Sequence, residues 1–171
     1  MIVNCFDYLR EIMTDTTTSS AVGSVFPALR LVDSDGVATD GIPLAPGGTI
    51  VHFMRSSTCP VCLGHAAVID QLVRSGSLGD ARVVFIAPGG AEEAAEASVR
   101  MRGRAIAVYA SGDAHRDAGL GRFLALQHSG TFVLDADGAV LSAVTATIPT
   151  ASFSRAELVR VLPIGTEQGA D

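Results

Sequence analysis

One stretch of the sequence decides the fold: Thr49-Ile-Val-His-Phe-Met-Arg-Ser-Ser-Thr-Cys-Pro-Val-Cys62. Its first six residues form a short apolar run that suits a buried strand. Pro60 can occupy the first turn of a helix, and Ala66, Ile69 and Val73 continue that helix with apolar residues on one face. The two cysteines are therefore predicted to lie where a central strand gives way to a helix, at the sheet edge where reactive groups collect.

Strand and helix signals alternate on both sides of this stretch. Before it, the turn Asp33-Ser-Asp-Gly36 predicts a small hairpin between 29–32 and Val37. The order that follows predicts an α/β protein with a mixed central sheet and helices on both faces. The later elements are strands at 82–87 and 105–109, helices at 91–101 and 113–126 (the second interrupted near Gly119 and Gly121), a hairpin over 131–144, and a last helix from Ser154 to Leu162.

The whole chain has 171 residues, of which 48% are hydrophobic and 18% are charged. Such a composition predicts one globular domain with a substantial core. We expect this domain to span residues 22–165. An amphipathic helix and a Thr/Ser-rich linker are predicted for residues 1–21, and a short tail for 166–171. The helix rests on apolar residues at helical spacing: Ile2, Phe6, Leu9 and Met13.

Charge and hydropathy limit the classes of partner. The net charge is −6 and no basic stripe is visible, which argues against a nucleic-acid partner. No segment approaches the roughly 20 consecutive apolar residues that span a bilayer, so we expect no membrane association. Asp7, Arg10 and Glu11 interrupt the apolar run that a secretory signal needs, which favours a cytoplasmic location. There, a close pair of cysteines is more typical of catalysis or metal binding than of a structural disulfide.

The spacing of Cys59 and Cys62 suits redox chemistry. A thiolate, and not a thiol, is the nucleophile, and the first turn of a helix favours a negative sulfur through its free N–H groups and its dipole. Cys59 is predicted at the N-cap, as the exposed attacking sulfur. Cys62 lies one turn further on and is predicted to be the more buried resolving sulfur that closes a disulfide.

Four neighbouring side chains are candidates for tuning these thiols. All 12 basic residues are Arg, so Arg55 is the nearby cation that could stabilise the thiolate, and Ser56 could donate a hydrogen bond to it. His65, one turn beyond Cys62, is a weaker candidate. His52, on the incoming strand, could shuttle a proton. For both histidines a structural role is the favoured interpretation.

Two other interpretations of the cysteine pair stay open. Cys59, Cys62 and His65 could bind zinc with Cys5 or His52 as the fourth ligand, although a second Cys-x-x-Cys is missing from the sequence. The pair could also be inert and buried. Redox chemistry suits the strand-to-helix position best, and we expect neither a metal nor a cofactor.

The same residues resemble the active-site stretch of peroxiredoxin-like proteins of the alkyl hydroperoxide reductase/thiol-specific antioxidant family, within the thioredoxin-like superfamily. The matching pattern is Phe53-x-Arg55-x-x-x-Cys59-Pro60-x-Cys62-x-x-His65. Residues 25–36 resemble the family's first hairpin, and 130–138 its late strand and turn. The resemblance covers about residues 22–163 and implies a thioredoxin-like fold with peroxide-reducing, antioxidant activity.

Three positions depart from this family pattern. His52 stands where peroxiredoxins usually have a proline, seven residues before the reactive cysteine. Ser129 stands where the family has a second Arg, and where thioredoxins have a cis-proline. Thr58 stands where thioredoxins commonly have Trp. Ser56, in contrast, matches the Thr or Ser of the family.

Three functions follow as hypotheses. The first is a thiol peroxidase, in which Cys59 attacks a peroxide and forms a disulfide with Cys62 that an external thiol reduces, either a thioredoxin-like protein or a low-molecular-weight thiol. The second is a thiol–disulfide oxidoreductase acting on protein disulfides. The third is a non-enzymatic redox sensor. Arg55 and Ser56 favour the first, and the close Cys-Pro-Val-Cys arrangement favours the second. The sequence does not predict an oligomeric state.

Overall fold

The structure is a computed structural model that describes residues 20–162. The predicted N-terminal helix, Cys5, most of the Thr/Ser-rich linker and the tail from residue 166 lie outside these residues. The predicted domain boundaries therefore remain predictions.

A seven-stranded mixed sheet forms the centre of the described chain, in the order β2-β1-β5-β4-β3-β8-β9. Strand β3 lies beside β4 in parallel and beside β8 in antiparallel register, and β4 and β5 are parallel. The first hairpin joins this sheet through β1, which pairs antiparallel with β5. The strands are β1 (Arg30–Asp33), β2 (Ala38–Asp40), β3 (Thr49–Phe53), β4 (Arg82–Pro88), β5 (Ala107–Ser111), β8 (Ser129–Leu134) and β9 (Val140–Ala146).

Among the described residues, three α-helices lie between these strands, and a 3-10 turn and a fourth α-helix follow the last strand. The hydroxyl of Ser154 accepts a hydrogen bond from the N–H of Glu157, so Ser154 caps the last helix as predicted. The helices are α1 (Pro60–Arg74), α2 (Ala91–Arg100), α3 (Ala114–Asp117) and α4 (Arg155–Val161), with the 3-10 turn at Pro149–Ala151.

The alternation of side chains along the strands divides the core into two layers. On β3, Ile50 and the following Met54 pack with the helices α1, α2 and α4, whereas Val51 and Phe53 face the opposite layer. That second layer is covered by α3 and by the chain around Phe26 and Leu29. The predicted α/β fold with a mixed sheet and helices on both faces is confirmed.

Of the helix predicted over 113–126, only the first turn forms; the interruption predicted near Gly119 is confirmed, but the helical continuation beyond it is wrong. Gly119 adopts a left-handed conformation with φ of 79°, and the N–H of Leu120 donates to the carbonyl of His115, which ends α3. The chain then forms a separate two-stranded hairpin, β6 (Arg122–Phe123) with β7 (Leu126–Gln127). The strand predicted at 105–109 begins two residues later, at Ala107.

Within residues 20–162, every helix is too short or too polar to cross a lipid bilayer.

Candidate redox-active site

Cys59 is the N-cap of α1, as the sequence predicts. Its sulfur accepts a hydrogen bond from the backbone N–H of Cys62 at 3.3 Å, and Pro60 follows as the first helical residue. The N–H of Cys59 donates to the carbonyl of Ser56 at 3.2 Å and closes a turn over 56–59. Because β3 ends at Phe53, this turn carries the chain directly from the carboxyl end of a central strand into the helix.

The two sulfurs lie next to each other and are both reduced. The Cys62 thiol donates to the Cys59 sulfur across 2.8 Å. Cys62 is completely buried, and Cys59 is only 7% exposed. Cys62 is the more buried of the two, as predicted, but the prediction of an exposed Cys59 is wrong, because Cys59 is itself buried at the start of α1.

The surroundings of the two thiols drive their pKa values in opposite directions. The hydrogen bond from the Cys62 thiol is the largest cause that lowers the pKa of Cys59, to about 6. Burial opposes this, while the N–H groups of Cys62 and Val61 and the charge of Arg55 lower it further. The pKa of Cys62 is raised, first because its proton is held in the bond to Cys59 and then because it is buried. These opposite shifts favour the thiolate on Cys59 and the protonated thiol on Cys62.

Arg55 and Ser56 act on Cys59 in different ways. The guanidinium of Arg55 lowers the pKa of Cys59 through its charge. Ser56 contributes its backbone carbonyl to the turn, and within residues 20–162 its hydroxyl makes no hydrogen bond. The predicted hydroxyl donation from Ser56 to Cys59 is therefore not formed in this reduced state.

Ser57 is a site residue that the sequence did not single out. Its hydroxyl donates to the Oε2 of Glu96 at 2.6 Å, which connects the turn to α2. The partners are 39 residues apart, and the sequence carries no local signal for such a bond.

His52 begins a buried chain of polar groups on the same face of the sheet as the cysteines. The hydroxyl of Thr131 donates to the carbonyl of Ser152 at 2.7 Å, so it accepts from Nδ1–H of His52 at 2.9 Å. Ser129 donates to the hydroxyl of Ser152, which in turn donates to the carbonyl of Pro149. The Ser129 hydroxyl is thus committed to a structural bond.

The histidines near the site are held neutral by burial. Burial lowers the pKa of His52 to about 3, with smaller contributions from the charges of His65 and His115. Burial also lowers the pKa of His115, to about 4, while its Nε2–H donates to the carbonyl of Met54 at 2.7 Å. His65 stacks on Phe153, and burial lowers its pKa as well.

Two ring nitrogens in this group, His52 Nε2 and His65 Nδ1, are buried without a partner among the described residues. Within residues 20–162, however, no three His, Cys, Asp or Glu side chains converge as metal ligands do. The arrangement instead combines an activated thiolate, a protonated thiol in contact with it and the neutral buried groups around His52. This combination can attack an electrophile and then close a disulfide.

Comparison with known proteins gives a structural match without a sequence match. No protein-family model matches the chain, and no curated protein is significantly similar in sequence. Many solved structures are similar in fold. The peroxidoxin BcpB from Mycobacterium tuberculosis superposes with a TM-score of 0.67 at 21% identity, covering 82% of this chain and 95% of that one.

Two further structures agree. The thiol peroxidase from Chromobacterium violaceum has a TM-score of 0.68 at 14% identity, covering 83% of this chain and 85% of that one. AhpC from Mycobacterium tuberculosis has a TM-score of 0.64 at 15% identity, with coverages of 83% and 90%. The chain therefore has the thioredoxin-like fold that peroxiredoxins share, which confirms the fold implied by the resemblance.

Proposed function

We propose that the protein is a thiol-dependent peroxidase whose redox centre is the Cys59–Cys62 pair. The observation that carries this proposal is the asymmetry of the pair, since a thiolate on Cys59 lies 2.8 Å from a protonated, fully buried Cys62. The fold shared with several thiol peroxidases and peroxiredoxins supports it.

The reaction balances in three steps. The Cys59 thiolate attacks the terminal OH oxygen of the peroxide, the O–O bond breaks, and Cys59 becomes a sulfenic acid that keeps the proton of that OH group. The leaving alkoxide or hydroxide takes one proton from solvent and departs as the alcohol or water. The Cys62 thiol then attacks the Cys59 sulfur and expels water, which leaves a disulfide. Two equivalents of an external thiol restore both cysteines, and we place this reductant in a reducing, cytoplasmic environment.

The side chains of the turn have distinct proposed roles. Arg55 stabilises the thiolate and the negative charge that develops on the leaving oxygen. The Ser56 hydroxyl, which has no partner within the described residues, is free to donate to the incoming peroxide. Ser129, which stands where the family has a second Arg, is fully buried and bonded to Ser152, so we assign the positive charge at the site to Arg55 alone.

A second candidate is a thiol–disulfide oxidoreductase acting on protein disulfides. The contact between the two sulfurs favours it, because Cys62 is placed to resolve a mixed disulfide on Cys59 as readily as a sulfenic acid. Both candidates use Cys59 as the nucleophile and differ only in the electrophile.

Trapping of the sulfenic acid separates these functions. A Cys5→Ser/Cys62→Ser variant is mixed with a few equivalents of hydrogen peroxide and a dimedone probe, and the rate of adduct formation at Cys59 is followed by mass spectrometry. We expect a rate well above that of free cysteine and no adduct in the Cys59→Ser control. A rate equal to that of free cysteine would refute the peroxidase, and reduction of insulin disulfides by the wild-type protein would then favour the second candidate. Zinc that copurifies stoichiometrically and is lost in Cys59→Ser would contradict both.

A further inference from the structure

The turn that presents Cys59 is held by a side chain from another part of the fold. Ser57 is the second residue of the turn over 56–59 and is 7% exposed. Its hydroxyl donates to Glu96 at 2.6 Å, a short distance typical of a bond to an ionised carboxylate. This bond joins the turn to the middle of α2.

Glu96 is suited to this role because it is charged and its helix is firmly seated. The hydrogen bond from Ser57 is the main cause that lowers the pKa of Glu96, and Arg100 contributes through a 3.2 Å ion pair one turn further along. Ala94 and Ala97 on either side are completely buried in the core. The carboxylate therefore projects from a fixed support.

We propose that Glu96 is a positioning residue of the redox site: through Ser57, it fixes the turn that brings the Cys59 sulfur to the N–H groups at the start of α1. Glu96 does not touch the reacting atoms. The inference rests on the proposed function only in treating Cys59 as the reactive thiol, and it applies equally to attack on a peroxide or on a disulfide.

The direction of the effect distinguishes positioning from simple electrostatics. A carboxylate acting through space destabilises a nearby thiolate, so its removal would lower the pKa of Cys59. A carboxylate that holds the turn has the opposite effect. Its removal lets Cys59 leave the N-cap for part of the time and lose the donors that stabilise the thiolate, so the pKa rises.

The test measures the pH dependence of iodoacetamide alkylation at Cys59 in the reduced, full-length protein, with peptide mapping by mass spectrometry. We expect Glu96→Ala and Ser57→Ala each to raise the apparent pKa by about 0.5, which slows alkylation about threefold below the pKa. The double variant should show no more than either single change, because both remove the same bond. Glu96→Gln, which keeps an acceptor oxygen for the Ser57 hydroxyl, should leave the pKa of Cys59 close to its wild-type value.

Glu92→Ala is the matched control, since it removes the same charge from the same helix. Glu92 is exposed, and its side chain makes no hydrogen bond among the described residues. It should leave the profile of Cys59 unchanged. A lowered or unchanged pKa in Glu96→Ala, or additive effects of Glu96→Ala and Ser57→Ala, would overturn the proposal. Because alkylation needs no peroxide, this result is independent of whether the peroxidase assay succeeds.

Discussion

Two buried polar regions lie on the same face of the sheet, and one favours an ionised group whereas the other favours neutral groups. The junction over 55–62 favours a thiolate, since the hydrogen bond from Cys62 lowers the pKa of Cys59 to about 6. A few residues away, the chain of His52, Thr131, Ser152 and Ser129 carries no charge, and the pKa of His52 is lowered to about 3 so that its ring stays neutral.

The difference comes from the groups that surround each site, because both are buried. At the junction, N–H groups, a thiol proton and a guanidinium all converge on one sulfur and offset the cost of burying its charge. Among residues 20–162, the one hydrogen-bond partner of the His52 ring is a neutral hydroxyl, and no carboxylate there forms an ion pair with it. Burial alone therefore does not determine whether a group is ionised. The hydrogen-bond donors and charges around the group determine it.

The largest expected change comes from removing the thiol proton at the junction. Cys62→Ala should raise the pKa of Cys59 by more than 1 toward its ordinary value, because the bond from Cys62 is the main cause of the lowering. Cys62→Ser keeps a donor and should raise it less. The thiolate absorbance near 240 nm, followed against pH in a Cys5→Ser background, measures both. Equal pKa values in the two variants would show that the backbone N–H groups suffice.

The neutral region should make the protein less stable in mild acid. The pKa values of His52 and His115 are lowered in the folded state, so between pH 7 and 5 the unfolded chain binds protons that the folded chain does not. Stability then falls as the pH falls, by about 3 to 4 kcal/mol for two such histidines. Urea denaturation of the Cys59→Ser protein at several pH values measures this loss. Adding His52→Gln should remove about half of the dependence, and an unchanged dependence would contradict the neutral assignment.

Removing one hydroxyl from the buried hydrogen-bonded series should lower stability without changing the pKa of Cys59. Thr131→Val removes a hydroxyl that bonds both His52 and the carbonyl of Ser152, and it leaves two buried groups unsatisfied. We expect a loss of about 1 to 3 kcal/mol in the free energy of unfolding. The pKa of Cys59 should stay the same, as measured by alkylation. A shift in that pKa would mean that the two regions are coupled.

The smallest expected effect is that of Arg55, whose charge is the last of the causes that lower the pKa of Cys59. Arg55→Gln should raise this pKa by a few tenths, and the difference should shrink in high salt because it is electrostatic. Arg55→Lys keeps the charge and serves as the control. If peroxide reduction slows much more than alkylation in Arg55→Gln, Arg55 also contacts the substrate, as proposed.

Local patterns in the sequence were enough to predict most of the fold and the positions of the two cysteines. The apolar run over 49–54, Pro60 and the spacing of the cysteines predicted the strand, the helix and the N-cap position of Cys59, because each depends on neighbours within one turn. The break near Gly119 could also be predicted, but the helix expected beyond it was wrong, because residues 122–127 form a hairpin instead.

The rest of the site depends on partners distant in sequence. His52 meets Thr131 across 79 residues and Ser57 meets Glu96 across 39, and His115 reaches the carbonyl of Met54 across 61. None of these pairs leaves a periodic or compositional signal. The N-cap position of Cys59 and the deeper burial of Cys62 could be predicted from their order, whereas the groups that set their ionisation required the folded sheet.

The complete burial of Cys62 beside Cys59 also bears on damage by excess oxidant. A sulfenic acid on Cys59 has two fates, condensation with Cys62 or attack by a second peroxide to give the irreversible sulfinic acid. The first partner is already within 2.8 Å and needs no diffusion, whereas the second has to reach a sulfur that is 7% exposed. In the proposed peroxidase, kinetic partitioning therefore favours the reversible disulfide, and we expect less overoxidation at Cys59 than at an open thiol exposed to the same peroxide concentration.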